Sequence, residues 1–120
     1  MDLITFFFRL SSSLKLYHWK TSMYPRHVSS GDLFDTVIST TDKFMEIYFG
    51  KYGKGKISSV DTSAELYDDR EITQFLREAI MFLNDVVKND LVRTTDTDLL
   101  NIRDDLVGSI NKTLYLFTFN

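Results

Sequence analysis

Residues 16–27 read LYHWKTSMYPRH, and this short stretch contains both histidines of the chain, its only Trp and its only Pro. Apolar residues recur every three or four positions on either side of it, so the stretch is predicted to be a corner between two amphipathic helices. Ser22 is the predicted N-cap of the second helix. Pro25 fits the first turn of that helix, where a backbone N–H would have no partner within the helix. The corner should therefore bring His18, at the end of one helix, beside His27, at the start of the next.

The same apolar spacing extends over most of the chain and predicts four amphipathic helices. They are predicted to run from Leu3 to about Thr21, from the corner to Gly50, from Asp68–Asp69 to Val87, and from the capping sequence Thr95–Asp98 to Phe117. The first connection is very short, and the middle one, roughly residues 50–68, is the longest. This linkage favours an all-α fold, an antiparallel four-helix bundle that forms a single domain over residues 1–120.

The composition limits the classes of function. The chain has 120 residues, a net charge of −3 and no Cys, which excludes disulfides, Cys-ligated zinc sites and Cys nucleophiles. An acidic chain without a basic tail has no general attraction for nucleic acid or for an anionic membrane. No stretch approaches the roughly 20 apolar residues that span a bilayer, and no secretion signal is recognisable, so a cytoplasmic location is expected.

The Gly- and Lys-rich stretch 50–56, GKYGKGK, almost matches a phosphate-binding loop. The Ser or Thr that should follow the last Lys is missing, and the stretch comes after a helix, whereas such a loop follows a strand. We therefore interpret it as a flexible basic loop. Its three lysines are predicted to be solvated, with contact to a phosphate or an acidic neighbour as the alternative: Lys51, Lys54 and Lys56.

Three carboxylates in the second helix form a candidate metal site. At 100° per residue, Asp35, Asp42 and Glu46 project within roughly 40° of one another, with His27 upstream on nearly the same side. Carboxylate and imidazole together suit iron, manganese or zinc. The alternative is a solvated acidic stripe, because these positions lie at the boundary of the apolar face. For His18, the alternative is a core histidine with one hydrogen-bonded nitrogen.

The pattern His18-Trp19…His27, followed by Asp35, Asp42 and Glu46, resembles the Dps-like branch of the ferritin-like superfamily. The separations of 15 and 19 positions from His27 to the last two acids are similar to the ferroxidase pattern of that branch. The position four after His27, where that branch places an Asp, is Gly31 here. A closer likeness is to a small uncharacterised ferritin-like family of phages and large DNA viruses, whose ending resembles NIRD at 101–104 and INKTLYL at 110–116.

The resemblance implies a ferritin-like fold and a metal site formed between two subunits. The implied ligands are His18, His27, Asp35, Asp42 and Glu46. The metal would be iron, with zinc or manganese less favoured, and the chemistry would be ferrous oxidation by oxygen or peroxide in a homo-oligomer that stores or detoxifies iron. Ten Phe and six Tyr are more than one small core needs, which also favours oligomerisation.

The alternative function is that of a non-catalytic structural protein, such as a small helical protein of a viral particle or a minor capsid component. Its partners would be viral structural proteins, and its location the host cytoplasm or the virion. Helical spacing places Phe6 and Phe7 on the apolar stripe of the first helix and Phe8 and Trp19 off it. Under this alternative, exposed aromatic residues would form the docking surface: Phe6, Phe7, Phe8, Trp19 and Phe119.

Overall fold

Four helices joined by two shorter connections and one long one make up the fold. The computed structural model of the protein describes residues 1–55, 57, 60 and 62–120. The helices are α1 (Leu3–Lys20), α2 (Tyr24–Tyr52), α3 (Glu71–Asn84) and α4 (Thr97–Leu116). No strand occurs in the described part of the chain. The predicted all-α, four-helix architecture is therefore confirmed.

The contacts between helix ends give the direction of each helix. The turn at 21–23 sends α2 back along α1. Lys51, in the last turn of α2, bonds Asp98 in the first turn of α4 at 2.6 Å. At the opposite end, Arg26 at the start of α2 lies over the ring of Phe117, just after α4. Since these two helices pack together, α4 runs antiparallel to α2.

The third helix completes an antiparallel bundle with one long crossover. Asp69, just before α3, bonds Tyr17 near the end of α1, and Phe82 near the end of α3 stacks on Phe6 near the start of α1. α3 therefore runs opposite to α1 and parallel to α2. The connection between α2 and α3 consequently joins opposite ends of the bundle and forms its single long crossover.

One hydrophobic cluster with members from all four helices fills the bundle. Phe6 and Phe7 belong to it and are almost fully buried, so the prediction that they are exposed is wrong. They lie on the stripe that α1 turns towards α3 and α2, where Phe6 stacks on Phe82 and Phe7 packs against Phe44. Three other aromatic residues are exposed as predicted, with 47%, 67% and 49% of their surface accessible: Phe8, Trp19 and Phe119.

Two predicted features of α2 are corrected by the structure. The N-cap position is Met23 rather than Ser22, and the Met23 N–H donates to the hydroxyl of Thr21. The helix also continues through Gly50 to Tyr52 and ends at Gly53, whose φ of 78° favours a glycine. Stretch 50–55 is thus partly helical, and Lys56 lies outside the described residues.

The third helix begins as predicted but ends early. The Glu71 N–H donates to Asp68 Oδ1 and the Asp68 N–H donates to Glu71 Oε1, which is the reciprocal bonding of a capping box. The Arg70 N–H also donates to Asp68 Oδ1, and the two backbone donors, first Glu71 and then Arg70, lower the pKa of Asp68. The helix ends at Asn84 rather than Val87. Successive turns follow up to Asp90, whose positive φ redirects the chain.

The cap of α4 also differs from the predicted one. Asp96 occupies the N-cap position, but its side chain does not bond the helix N–H groups. The carboxylate is buried and engaged with Lys51 and Tyr52 instead. A tertiary contact of Asp96 therefore replaces the local cap that the sequence Thr95–Asp98 predicts.

Thr41 is a position at which we expect a stabilising substitution. Its hydroxyl is buried in α2 and, among the residues that the structure describes, has no hydrogen-bond partner. Thr41→Val keeps the branched shape and removes the unsatisfied hydroxyl, so the free energy of unfolding should rise by about 1 kcal/mol in a urea titration. Thr113→Val is the matched control, because Thr113 Oγ1 donates to the carbonyl of Ser109 at 2.9 Å and that bond would be lost. Destabilisation by Thr41→Val would contradict the prediction.

Candidate functional site

The corner between α1 and α2 brings the two histidines together, as the sequence predicts. α1 ends at Lys20, residues 21–23 form an extended turn, and α2 begins with Pro25 in its first turn. The rings of His18 and His27 stack face to face, with centroids 4.0 Å apart and planes 15° from parallel. Tyr24 extends the column, since its ring lies 6.1 Å from that of His27.

Two reciprocal hydrogen bonds hold the histidine pair. Nδ1 of His18 lies 2.6 Å from the carbonyl oxygen of His27, and Nδ1 of His27 lies 2.8 Å from the carbonyl oxygen of His18. A carbonyl only accepts, so each Nδ1 must carry the hydrogen and donate it. In each neutral ring the free lone pair is then on Nε2. A backbone carbonyl on one ring nitrogen is the arrangement that orients histidines for metal binding through the other.

The surface of α2 beneath the His18 ring is small and polar. Ser30 is fully buried, and its hydroxyl donates to the carbonyl of His27. Gly31 lies against the edge of the ring, because a Cβ at this position would be 2.8 Å from Cε1 of His18 and 3.1 Å from Nδ1. The edge of His18 that carries both nitrogens therefore faces α2, and α2 has no side chain at the point of contact.

A partly buried hydrogen-bond network connects the corner to the segment before α3. Asp69 Oδ1 accepts from the Tyr17 hydroxyl at 2.7 Å and from Thr21 Oγ1 at 2.8 Å. Arg26 donates to the carbonyl of Asp69 and to the Tyr17 hydroxyl, and its guanidinium lies over Phe117. The hydrogen bond from Tyr17, followed by that from Thr21, lowers the pKa of Asp69, while burial raises the pKa of Tyr17.

The stacking geometry limits how the two imidazoles can bind a metal. An imidazole donates its lone pair in the plane of its ring, at about 2.0–2.2 Å from the ion. Two nearly parallel planes about one ring spacing apart do not meet at such a point. In this arrangement His18 and His27 cannot both bind one ion, so each ring offers a single Nε2 donor to a separate ion or partner.

The three carboxylates do not join the histidines within one chain. Asp35, Asp42 and Glu46 are all exposed on α2. Among the residues that the structure describes, no group of three or more His, Asp or Glu side chains is placed to hold a metal ion. The five predicted ligands thus form two separate sets in this chain, the histidine pair at the corner and the acids further along α2.

A second charged cluster, which the sequence did not predict, joins the end of α2 to the start of α4. The carboxylate of Asp96 is buried and accepts from the Tyr52 hydroxyl and from the Arg93 N–H, and it pairs with Lys51 at 2.9 Å. Lys51 also pairs with the exposed Asp98. The bonds from Lys51 and Tyr52 lower the pKa of Asp96 to about 2. Lys51 is therefore paired with acidic neighbours, the alternative left open for it.

Exposed aromatic residues surround the histidine corner. Trp19 and Tyr24 have 67% and 74% of their surface accessible, which is unusual for side chains of this size. The ammonium of Lys15 lies over the rings of both Trp19 and Phe34, at 5.6 Å and 4.6 Å from their centroids. None of the four helices in the described part of the chain is long and apolar enough to cross a membrane.

Fold and site together define a class of protein: an all-α, four-helix bundle with one long crossover and a locked pair of histidines at its first corner. The chain belongs to DUF5856, a family of unknown function, whose model matches residues 18–117. This match begins at His18 and includes the corner and the whole of α2, α3 and α4. No curated protein and no solved structure matches the chain.

Proposed function

We propose that this protein is a ferritin-like, metal-binding protein that holds iron between two copies of the chain. The observation that carries the proposal is the reciprocal bonding of the histidines, which commits each Nδ1 to a carbonyl and leaves each Nε2 as a donor. The exposed acids Asp42 and Glu46, one turn apart on α2, supply the oxygen ligands from the second copy. Imidazole nitrogen and carboxylate oxygen donors suit iron, zinc or manganese, and the resemblance to ferritin-like proteins favours iron among them.

The length of α2 explains why two copies are needed. His27 and Asp42 are 15 positions apart, which corresponds to roughly 22 Å along a helix at 1.5 Å per residue. A two-fold axis crossing α2 near residues 34–35 would make two α2 helices antiparallel. His27 of one copy would then be level with Asp42 of the other. The acids therefore need no contact with the histidines of their own chain.

The outer surface of α1 and α2 has the apolar residues that such a pairing requires. Phe8 and Ile38 are exposed, with 47% and 48% of their surface accessible, and they line a shallow groove with Ser11 and Asp42. Burying exposed apolar surface is the usual driving force for association of two chains. Pairing through this surface would cover these side chains and bring Asp42 into the interface.

The first test is the metal content and the ferrous oxidation rate of the purified protein. We expect stoichiometric iron binding and oxygen-dependent oxidation of Fe²⁺ faster than in buffer, with a complete loss of both in His27→Ala/Asp42→Ala. Asp105→Ala, which removes an exposed acid on α4, is the matched control and should behave as wild type. A metal-free protein that leaves the oxidation of Fe²⁺ at the buffer rate would contradict the proposal.

Mixed oligomers test whether the site lies between copies. His27→Ala and Asp42→Ala subunits should each lose metal when purified alone. Refolded together, they should form dimers in which one site contains both an intact His27 and an intact Asp42, so about half of the mixed dimers' sites recover metal. If mass spectrometry shows that mixed dimers have formed but they recover no metal, then His27 and Asp42 do not share a site between subunits.

A second candidate function is that of a non-catalytic structural protein, for instance one associated with a viral particle. The exposure of Trp19, Tyr24 and Phe119 favours it, because isolated soluble domains rarely leave several large aromatic rings in water. The same purification distinguishes the two functions. A metal-free protein that forms an oligomer or retains viral structural partners, and loses them in Trp19→Ala/Tyr24→Ala, would support this second function.

A further inference from the structure

Gly31 is the helical glycine, among those that the structure describes, at which a side chain would collide with a neighbouring residue. A Cβ added to it would lie 2.8 Å from Cε1, 3.1 Å from Nδ1 and 3.7 Å from Nε2 of His18. All three atoms belong to the edge of the imidazole with which the ring bonds and donates. Gly50 and Gly108 are also helical, but a Cβ at either would meet nothing within 4 Å. The lack of a side chain therefore makes room for the His18 ring at Gly31, whereas a side chain at Gly50 or Gly108 would contact nothing.

The conflict at position 31 involves a movable ring and no backbone atom. The nearest atoms are the far end of the His18 side chain, and φ at Gly31 is not in the region that requires glycine. A methyl group at this position would push the ring off α2 while leaving the helix intact. The ring also makes the 2.6 Å hydrogen bond to the His27 carbonyl, so a displacement would lengthen and weaken that bond.

We infer that Gly31 is a positioning residue of the histidine pair, which seats the His18 ring on α2 so that Nδ1 bonds the carbonyl of His27 and Nε2 is held as a donor. The other bond of the pair runs from His27 Nδ1 to the carbonyl of His18. Its donor is the ring of His27 and its acceptor is backbone, so it does not depend on how the ring of His18 rests against position 31. Gly31 thus acts on one histidine of the pair. The consequence for metal binding rests on the proposed function, whereas the seating of the ring does not.

Nitrogen NMR of the metal-free protein tests the seating directly. In the wild type we expect both histidines to show a protonated Nδ1 and an unprotonated Nε2 at a pH where the rings are neutral. In Gly31→Ala, His18 should move to an average over both tautomers, while His27 keeps its wild-type pattern. Gly50→Ala and Gly108→Ala are matched controls that should change neither histidine. Thermal unfolding confirms that all three variants fold.

Titration with Co²⁺ tests the effect on the donor. Loss of the group that orients a ligating histidine weakens metal binding by about 10–100-fold. Gly31→Ala should therefore weaken by this factor the binding of Co²⁺ through His18 and leave the binding through His27 unchanged. In a His18→Ala background the same substitution should cause no further loss, because Gly31 acts through that ring. An additive loss would overturn the assigned role.

The two measurements separate the inference from the proposed function. If folded Gly31→Ala keeps the wild-type tautomer at His18, the inference is overturned whatever the metal titration shows. If the wild type binds no Co²⁺ but the His18 tautomer shifts in Gly31→Ala and in neither control, the seating role stands and the proposed metal function fails.

Discussion

Tyr17→Ala should lower the free energy of unfolding by about 4 kcal/mol, which is the largest single effect we expect in this chain. The ring is fully buried between the helices and lies 5.8 Å from that of Phe117. Truncating a buried aromatic residue costs about 3–5 kcal/mol. The hydroxyl adds to this loss, because it donates to Asp69 and accepts from Arg26 at the junction of the corner with α3. Urea denaturation monitored by circular dichroism gives the value.

Tyr17→Phe separates the hydroxyl from the ring. It keeps the packing and removes a hydrogen bond to a carboxylate, for which about 2 kcal/mol is expected. Because burial raises the pKa of Tyr17 above its usual 10.0, the contribution of this group is present below pH 10 and is lost as pH rises through the folded-state value. The stability difference between wild type and Tyr17→Phe should therefore shrink above pH 10. Equal stability of the two proteins at neutral pH would show that the network contributes nothing.

Asp96→Asn should lower the free energy of unfolding by about 2 kcal/mol. The carboxylate is 3% exposed and accepts from Tyr52 and Arg93 while pairing with Lys51. An amide keeps the shape but loses the charge, and hydrogen bonds to charged groups contribute about 1.5–3 kcal/mol. Asp98→Asn is the matched control: it alters a carboxylate that contacts the same Lys51 in solvent, so the denaturation midpoint should stay close to wild type.

The effect of Asp96 should depend on pH in a defined direction. Its pKa is lowered to about 2 from the usual 3.8, chiefly by the bond from Lys51. A lowered folded-state pKa means that the stabilisation is present above the unfolded-state value and is lost as pH falls towards 2. Wild type and Asp96→Asn should therefore converge in stability between about pH 4 and pH 2. A constant difference over this range would show that ionisation of Asp96 is not the source of the effect.

The local signals in the sequence predicted the helices and the corner, and they failed where a tertiary contact competed. Helical spacing of apolar residues located all four helices because that period follows from the geometry of one helix. The same spacing places Phe6 and Phe7 on the apolar stripe of α1, and only the structural-protein alternative put them on the surface, where the structure does not place them. Asp96 was read as part of a local cap, while its carboxylate bonds residues more than 40 positions away.

The candidate site divides in the same way. Two histidines flanking a corner were visible in the sequence, because a short turn must place the end of one helix beside the start of the next. Their stacking, the two carbonyl bonds and the seat at Gly31 depend on distances across that turn, for which the sequence has no signal. The glycine four positions after His27 is the one feature of the sequence that relates to this geometry.

By itself the sequence determined a helical protein with four elements, one long connection and a histidine corner, because these properties depend on residues near each other in the chain. Only the tertiary structure decided that Asp96 joins α2 to α4 and that the imidazoles stack with nearly parallel planes, so that they cannot share one ion. The physical reason is that burial, hydrogen bonding and ligand geometry are set by the separation of atoms brought together from different helices, and a separation of that kind has no period in the sequence.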